Sequence, residues 1–129
     1  MKILFIEDNP EFSNIVSDIL RDAGHSVEVI DNADDAVAVL PRSREFDLVI
    51  LDIMMMLGST INGAEAPETG IAIYKRLRKL NGDIRVLVLT ALAKKDIWSH
   101  FSGDSRVQYF GKPIPKDTSR FLAIFKGTV

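Results

Sequence analysis

The sequence predicts an α/β fold, a doubly wound sheet of five parallel strands with helices packed on both faces. Two observations lead to this prediction. Short apolar runs alternate along the chain with segments long enough to form helices, which is the pattern of repeated βα units. One run, Leu48–Leu51, is apolar at every position, as expected for a strand that is covered on both faces in the middle of a parallel sheet.

Five apolar runs define the predicted strands. They span Lys2–Ile6, Ser26–Ile30, Leu48–Leu51, 84–89 and 106–110. Right-handed crossovers between consecutive parallel strands, together with a central third strand, favour the flavodoxin-like strand order 2-1-3-4-5. In such a sheet the carboxyl ends of the strands form one edge, and ligands bind there, where the strand order reverses.

The first predicted helix follows the first strand. Asn9 supplies an N-cap, Pro10 suits the first helical position, and Gly24 suits the end of the helix. The apolar side chains of this segment share one helical stripe, made of Phe12, Ile15, Val16, Ile19 and Leu20.

Two more helices are predicted on either side of the third strand. The second is capped by Asp31 or Asn32 and ends at Pro41, with Ala33, Ala36, Val37 and Leu40 at helical spacing. The third spans Thr69–Leu80, is closed by Asn81 and Gly82, and is expected to bury Ile73, Leu77 and Leu80.

Composition and charge exclude several classes of protein. The chain has 129 residues, 47% hydrophobic and 26% charged, and we expect one globular domain over residues 1–129. It has no cysteine, which excludes a disulfide scaffold and fits a cytoplasmic location. A net charge of -2 disfavours direct binding to nucleic acid or to an anionic membrane. The apolar run after Met1 and Lys2 is too short for a signal peptide or a membrane span.

Polar side chains collect where the predicted strands end. They are three carboxylates, a hydroxyl and an ammonium, from Glu7, Asp8, Asp52, Thr90 and Lys112. Crowded carboxylates raise one another's pKa unless a cation neutralises them, and oxygen ligands of this kind select Mg2+. A carboxylate beside a divalent ion and an ammonium can accept a phosphoryl group, because the cations absorb charge on the transferring oxygens. Each residue alone has an ordinary explanation, but their combination predicts Asp52 as a phosphoryl acceptor.

These residues also belong to a recognisable pattern. The chain resembles the receiver domains of two-component response regulators, particularly the chemotaxis type, over essentially its whole length. The motifs that carry the resemblance are Glu7-Asp8, Leu51-Asp52-Ile53-Met54, Leu89-Thr90-Ala91, Tyr109 and Lys112-Pro113. The resemblance implies a regulatory phosphoprotein that acts as a signalling switch and does not turn over external substrates as an enzyme.

The resemblance implies a phosphoacceptor and a metal site. Asp52 would accept the phosphoryl group. Asp8 and Asp52 would bind Mg2+ directly, the backbone carbonyl of Met54 would complete the protein ligands, and Glu7 would hold the metal through water.

The resemblance also implies a switch and its partners. Thr90 and Lys112 would bind phosphoryl oxygens, Tyr109 would be the switch aromatic, and the peptide bond between Lys112 and Pro113 would be cis. A sensor histidine kinase or phosphotransfer protein would supply the phosphoryl group. A downstream protein or output domain would contact the face formed by the fourth helix, fifth strand and fifth helix.

The segment after the third strand departs from this family pattern. Receivers carry a proline four residues after the acceptor, where this chain has Met56, and the stretch before Thr69 is longer than usual. We interpret residues 55–68 as an enlarged loop that forms a mobile flap over Asp52 and governs access for a kinase or phosphatase. Only Leu57 and Ile61 offer it apolar anchorage, which is too little to offset the entropy of ordering it. An insertion without function is the alternative.

Three other functions fit parts of the pattern. A phosphohydrolase of the haloacid dehalogenase type would need a second aspartate two residues after the nucleophile, where Met54 stands. A flavin-binding flavodoxin relative would need a loop rich in Ser, Thr and Gly after the first strand, which is absent. A receiver-like adaptor that binds partners without phosphorylation stays open, because the loop after Asp52 is altered.

Overall fold

Five parallel strands form the sheet at the centre of the protein. The computed structural model describes residues 1–56, 58–61 and 68–126. The strands are β1 (Lys2–Ile6), β2 (Ser26–Ile30), β3 (Leu48–Leu51), β4 (Arg85–Thr90) and β5 (Val107–Gly111). Their order is β2-β1-β3-β4-β5, and every neighbouring pair is parallel. The predicted fold class and strand order are confirmed.

Strands β4 and β5 begin and end one residue later than predicted. The Asn81 side chain accepts hydrogen bonds from the amides of Asp83 and Ile84 at 3.1 and 3.2 Å, so Ile84 belongs to the turn before β4. The amide of Arg106 donates to Asp104 Oδ1 at 3.0 Å in the same way before β5. At the other end the two strands remain paired through Thr90 and Gly111.

Within the described residues, five α-helices connect or follow the strands. They are α1 (Pro10–Asp22), α2 (Ala33–Val39), α3 (Thr69–Leu80), α4 (Lys94–Ile97) and α5 (Ser119–Ala123), with 3-10 helices at Leu40–Glu45 and Trp98–His100. The Asn9 side chain caps α1 by accepting from the amide of Phe12 at 3.1 Å, and Asn32 caps α2 by accepting from the amide of Asp35 at 2.8 Å. Pro41 lies within the first 3-10 helix, which continues the chain from α2.

Two apolar cores lie on opposite faces of the sheet. On one face, Phe5 and Ile50 pack against helices α1 and α5. On the other face, Leu4 and Val49 pack against helices α2, α3 and α4. Alternate residues of each strand therefore point to opposite cores, as in a doubly wound sheet.

Two side chains that the helical stripes assign to the core are exposed. Leu80 is 50% exposed, because the last turn of α3 buries Leu77 and Asn81 instead. Ile15 is 57% exposed, because the buried face of α1 includes the small Ser13 and Ser17 and is rotated away from Ile15. The predicted burial of Leu80 is wrong.

No helix within residues 1–56, 58–61 and 68–126 combines the length and apolar character needed to cross a lipid bilayer.

Candidate functional site

The predicted site side chains meet at the carboxyl edge of the sheet. They come from the ends of β1, β3, β4 and β5, and are Glu7, Asp8, Asp52, Thr90 and Lys112. Backbone hydrogen bonds fix the loops that carry them. The amide of Glu7 donates to Ile30 O at 2.9 Å, and the amide of Asp52 donates to Ile6 O at 3.1 Å. The sheet pairing thus extends one residue beyond β1 and β3 and aligns the two carboxylates.

Three carboxylates form an acidic cluster in this site. One oxygen of each of Glu7, Asp8 and Asp52 lies within 4.8 Å of the other two. Glu7 is 1% exposed and Asp52 is 3% exposed, whereas Asp8 is half-buried at the rim. The cluster is therefore open to solvent on the side of Asp8.

Lys112 supplies the positive charge of the site. Its Nζ lies 2.5 Å from Glu7 Oε1 and 3.6 Å from Asp52 Oδ2. The amide of Lys112 donates to Thr90 O at 2.9 Å, and the Lys112–Pro113 peptide bond is cis. The Phe12 ring lies 4.4 Å from Nζ and restricts the ammonium on the side of α1.

The acidic cluster changes the ionisation of Asp52. Burial, and then the nearby negative charge of Glu7, raise the pKa of the Asp52 carboxyl from 3.8 to about 7, although Lys112 acts in the opposite direction. One ammonium therefore does not neutralise this cluster.

A divalent cation fits the cluster by charge and by ligand chemistry. Two buried carboxylates and a third at the rim offer hard oxygen ligands at one point, with Lys112 as their only nearby cation among the described residues. Mg2+ prefers such ligands and retains several waters, which the open side at Asp8 allows. The residues present therefore fit a magnesium ion.

Backbone amides hold the three carboxylates in place. Asp52 Oδ1 accepts from the amide of Met54 at 3.3 Å, Asp8 Oδ2 from the amide of Met56 at 3.2 Å, and Glu7 Oε2 from Asn9 at 3.2 Å. The bond between Met56 and Asp8 was not predictable from the sequence, because it joins residues far apart in the chain.

Gly70 lets α3 begin directly beside Asp52. A Cβ atom at Gly70 would lie 2.3 Å from the carbonyl oxygen of Asp52 and 2.5 Å from Ile53 Cα, so no other residue fits without backbone movement. The amide of Gly70 donates to Ile53 O at 2.9 Å. Gly70 belongs to the predicted third helix, but helical spacing does not reveal this close approach.

Thr90 and Tyr109 are linked through the segment between β4 and α4. Thr90 is fully buried, and its Oγ1 accepts from the amide of Leu92 at 3.3 Å. The half-buried Tyr109 donates its hydroxyl to Leu92 O at 2.6 Å. Both predicted switch residues therefore contact the backbone of Leu92, Thr90 at its amide and Tyr109 at its carbonyl oxygen.

The loop after Asp52 is attached to α2 in the part that the structure describes. Asp34 accepts hydrogen bonds from the Thr60 amide at 2.9 Å, the Thr60 hydroxyl at 2.8 Å and the Ser59 hydroxyl at 3.0 Å. These bonds lower the pKa of Asp34 to about 2. Ile61 is 4% exposed, and Arg76 donates to Thr60 O at 2.8 Å. The sequence indicated too little apolar anchorage from Ile61 to order the loop, and it did not indicate the polar anchor Asp34.

The remainder of the predicted flap lies outside the described residues. Its other apolar anchor, Leu57, and the stretch 62–67 both fall there.

Comparison with known proteins gives one consistent result. Residues 3–123 match the family model of the response regulator receiver domain. A response regulator receiver protein of Anaeromyxobacter sp. is 27% identical over 113 residues, which cover 88% of this chain and 43% of that protein. The transcriptional regulatory protein ZraR of Salmonella typhimurium is 29% identical over 115 residues, which cover 89% of this chain and 24% of ZraR. The chain thus spans less than half the length of these two relatives.

A solved structure agrees in fold over nearly the whole chain. The BeF3-activated N-terminal receiver domain of Klebsiella pneumoniae RstA is similar to this chain with a TM-score of 0.75 and 25% identity. The match covers 97% of this chain and 95% of that one.

Proposed function

This chain belongs to the response regulator receiver domain family, and on that premise we propose that Asp52 accepts a phosphoryl group from a histidine kinase in a Mg2+-dependent reaction. The observation that supports this proposal most directly is the position of Asp52. It is a buried carboxylate grouped with Glu7 and Asp8, and its Oδ2 lies 3.6 Å from the ammonium of Lys112. The donor would be the phosphohistidine of a sensor kinase or of a phosphotransfer protein.

The proposed transfer is a direct displacement at phosphorus. A carboxylate oxygen of Asp52 forms the new bond to phosphorus as the bond to the donor imidazole nitrogen breaks, and the imidazole leaves with that electron pair. Hydrolysis regenerates the Asp52 carboxylate, because water attacks phosphorus, the bond between phosphorus and the Asp52 oxygen breaks with its electron pair left on that oxygen, and inorganic phosphate leaves. The chain would therefore promote its own phosphorylation and dephosphorylation while acting as a regulatory domain.

The residues around Asp52 would bind the metal and the phosphoryl oxygens. Asp8, Asp52 and the Met54 carbonyl would hold Mg2+ directly, and Glu7 would hold it through water. When bound, Mg2+ supplies positive charge that stabilises the oxygens of the transferring group. Lys112 would leave its contact with Glu7 and pair with a phosphoryl oxygen.

The metal would also keep Asp52 in its nucleophilic form. Burial and Glu7 raise the pKa of Asp52 to about 7, so a part of the metal-free population is protonated at neutral pH. A cation bound to the same carboxylates favours the ionised form and so promotes attack on phosphorus.

Phosphorylation would change the face made by α4, β5 and α5. The added phosphoryl group carries about 1.5 to 2 negative charges and three acceptor oxygens. We propose that it draws the Thr90 hydroxyl toward Asp52, shifts Leu92 and so alters the contact of Tyr109. A downstream protein, or an output domain in the same polypeptide, would recognise the altered face. ZraR, named as a transcriptional regulator, is an example of a much longer relative.

We further propose that residues 1–129 form one receiver domain that acts in the cytoplasm, where a kinase has access to ATP. The lack of cysteine is consistent with this compartment. We expect no direct contact with nucleic acid or membrane, in keeping with the net charge of -2.

The test is phosphorylation of the purified chain by acetyl phosphate with and without Mg2+. We expect a Mg2+-dependent acyl phosphate that hydroxylamine cleaves, and none in Asp52→Asn. Peptide mass spectrometry after borohydride reduction would locate the modified residue. Modification elsewhere, or no modification under conditions that preserve the fold, would favour the phosphorylation-independent adaptor.

A further inference from the structure

We propose that the groove between α3 and the α2 segment with its following 3-10 helix binds an acidic amphipathic helix of a partner protein. This surface contains none of the phosphorylation-site residues, so the inference goes beyond the proposed function. The groove has a volume of about 930 Å3, which is enough to hold several side chains of a partner.

The groove has an apolar floor and an apolar edge. Val37, Leu40 and Pro41 line it from the α2 side, and Ala72 and Leu80 line it from α3. Leu80 is one of the few large apolar side chains that are half exposed, and Pro41 is exposed as well. These side chains would gain favourable burial if a partner helix covered them.

The charged residues of the groove all have the same sign. Lys75, Arg76, Arg78 and Lys79 line the α3 wall, and no acidic side chain is among the described lining residues. The guanidinium of Arg78 is already bound to Asp104, with Nε 2.6 Å from Oδ2. Lys75 and Lys79 are exposed, and they lie on the same side of α3 because they are four residues apart.

These observations define the chemistry of the partner. The whole chain has a net charge of -2, so the cationic wall is a local feature that attracts negative charge to one place. Two neighbouring walls of helical residues with an apolar floor accept a third helix, in the manner of helix-in-groove recognition. The partner helix would carry an apolar stripe against Val37, Pro41 and Leu80, and carboxylates against Lys75 and Lys79.

The experiment uses a synthetic helical peptide of about 15 residues as the probe, with leucines on one stripe and glutamates flanking it. Binding to the full chain is followed by fluorescence anisotropy, and the bound surface is mapped by amide chemical shifts. We expect shifts at Val37, Leu80 and their neighbours. The double variant Lys75→Glu/Lys79→Glu should weaken binding by roughly tenfold or more, and Leu80→Ser should also weaken it.

A matched double variant controls for total charge. Lys95→Glu/Lys116→Glu makes the same change at two exposed lysines outside the groove and should alter the affinity by less than roughly twofold. An equal loss in both double variants, or equal binding of a peptide with lysines in place of glutamates, would overturn the proposal.

Two further outcomes would also overturn it. If sedimentation shows a dimer of the chain that Lys75→Glu/Lys79→Glu dissociates, the occupant of the groove is a second copy. If a labelled DNA duplex binds and loses affinity in the same variant, the groove serves nucleic acid. The amide spectrum of each variant verifies its fold without phosphorylation, so failure of this inference stays distinct from failure of the proposed phosphorylation.

Discussion

At Asp52, two requirements oppose each other. A nucleophilic carboxylate must be ionised, but burial beside Glu7 favours the protonated form and raises the pKa from 3.8 to about 7. Between these two values the folded chain holds a proton that the unfolded chain releases. The free energy of unfolding of the metal-free chain therefore falls as pH rises through this window, and the stabilisation is lost above pH 7.

The variant Asp52→Asn removes this titration while keeping the shape of the side chain. In EDTA, we compare the free energy of unfolding of Asp52→Asn with that of the parent chain. We expect the difference, variant minus parent, to increase from pH 4 to pH 8 by on the order of 1–3 kcal/mol. Urea denaturation at several pH values measures this difference. A difference between the two chains that stays constant with pH would show that Asp52 titrates normally.

The side chain of Met54 is expected to affect the lifetime of an acyl phosphate on Asp52. This side chain, two residues after Asp52, is 59% exposed, and Leu92, two residues after Thr90, is also apolar. Neither can orient an attacking water by hydrogen bonding, and both can shield phosphorus, so we expect slow loss of the phosphoryl group. Met54→Asn should accelerate it several-fold, as measured by phosphate release after removal of the donor. Met55→Leu, which changes the buried neighbour without adding a polar group, is the control. An equal or slower rate in Met54→Asn would contradict this expectation.

At the level of the secondary-structure elements, the fold was predictable because its signals are local. Strand β3 is apolar throughout, Asn9 is a cap that a sequence displays directly, and Asn32 is one of the two caps predicted for α2. The exposure of Leu80 was not predictable from helical spacing, because it depends on Asn81 occupying the buried position of the last turn. The site could be inferred from strand ends because parallel strands bring them to one edge.

Side-chain contacts between elements that are far apart in the chain could not be predicted from the sequence. The anchor between Asp34 and Thr60 joins α2 to a loop on another element, and no spacing rule relates the two residues. The same is true of the Phe12 ring beside Lys112. Such contacts depend on side-chain packing in three dimensions and not on periodicity or capping.

The anchor of the loop on α2 leads to a prediction at Gly58. A Cβ atom there would lie 2.4 Å from Asp34 Oδ1, so Gly58→Ala should displace the Asp34 carboxylate from Ser59 and Thr60. We expect faster amide exchange in residues 58–61, with exchange in the sheet unchanged. Gly82→Ala is the control, because a Cβ atom at Gly82 meets nothing within 4 Å. Unchanged exchange at Thr60 in Gly58→Ala would contradict the role of this anchor.

The same variant tests whether residues 55–68 control access to Asp52. If they do, Gly58→Ala should change the rate of phosphotransfer from the cognate kinase while leaving the melting temperature of the protein unaltered. If the segment is an insertion without function, the rate should match that of the parent chain.

Across the whole molecule, a continuous set of contacts connects Asp52 to the α4 surface. Lys112 bridges Glu7 and Asp52, Thr90 contacts the amide of Leu92, and Tyr109 contacts its carbonyl. Helix α4 begins shortly after Leu92, at Lys94. The amide of Lys112 donates to Thr90 O at 2.9 Å, so under the proposed function a change at Asp52 would reach α4 through Lys112, Thr90 and Leu92.

Trp98 makes this coupling measurable, because it is the single tryptophan of the chain and lies directly after α4. Its half-buried ring has the ammonium of Lys94 at 4.4 Å and the Phe101 ring at 6.0 Å, so movement of α4 changes its surroundings.

We expect Mg2+ with beryllofluoride, a mimic of the phosphoryl group, to change the fluorescence of Trp98. Asp52→Asn should abolish the change. Lys112→Ala should retain the fold and Mg2+ binding, since removing a cation relieves repulsion on the metal, but should lose the fluorescence response. Fluorine NMR measures how much beryllofluoride is bound, and full occupancy of the parent chain with an unchanged Trp98 spectrum would refute a path through Thr90 and Leu92 to α4.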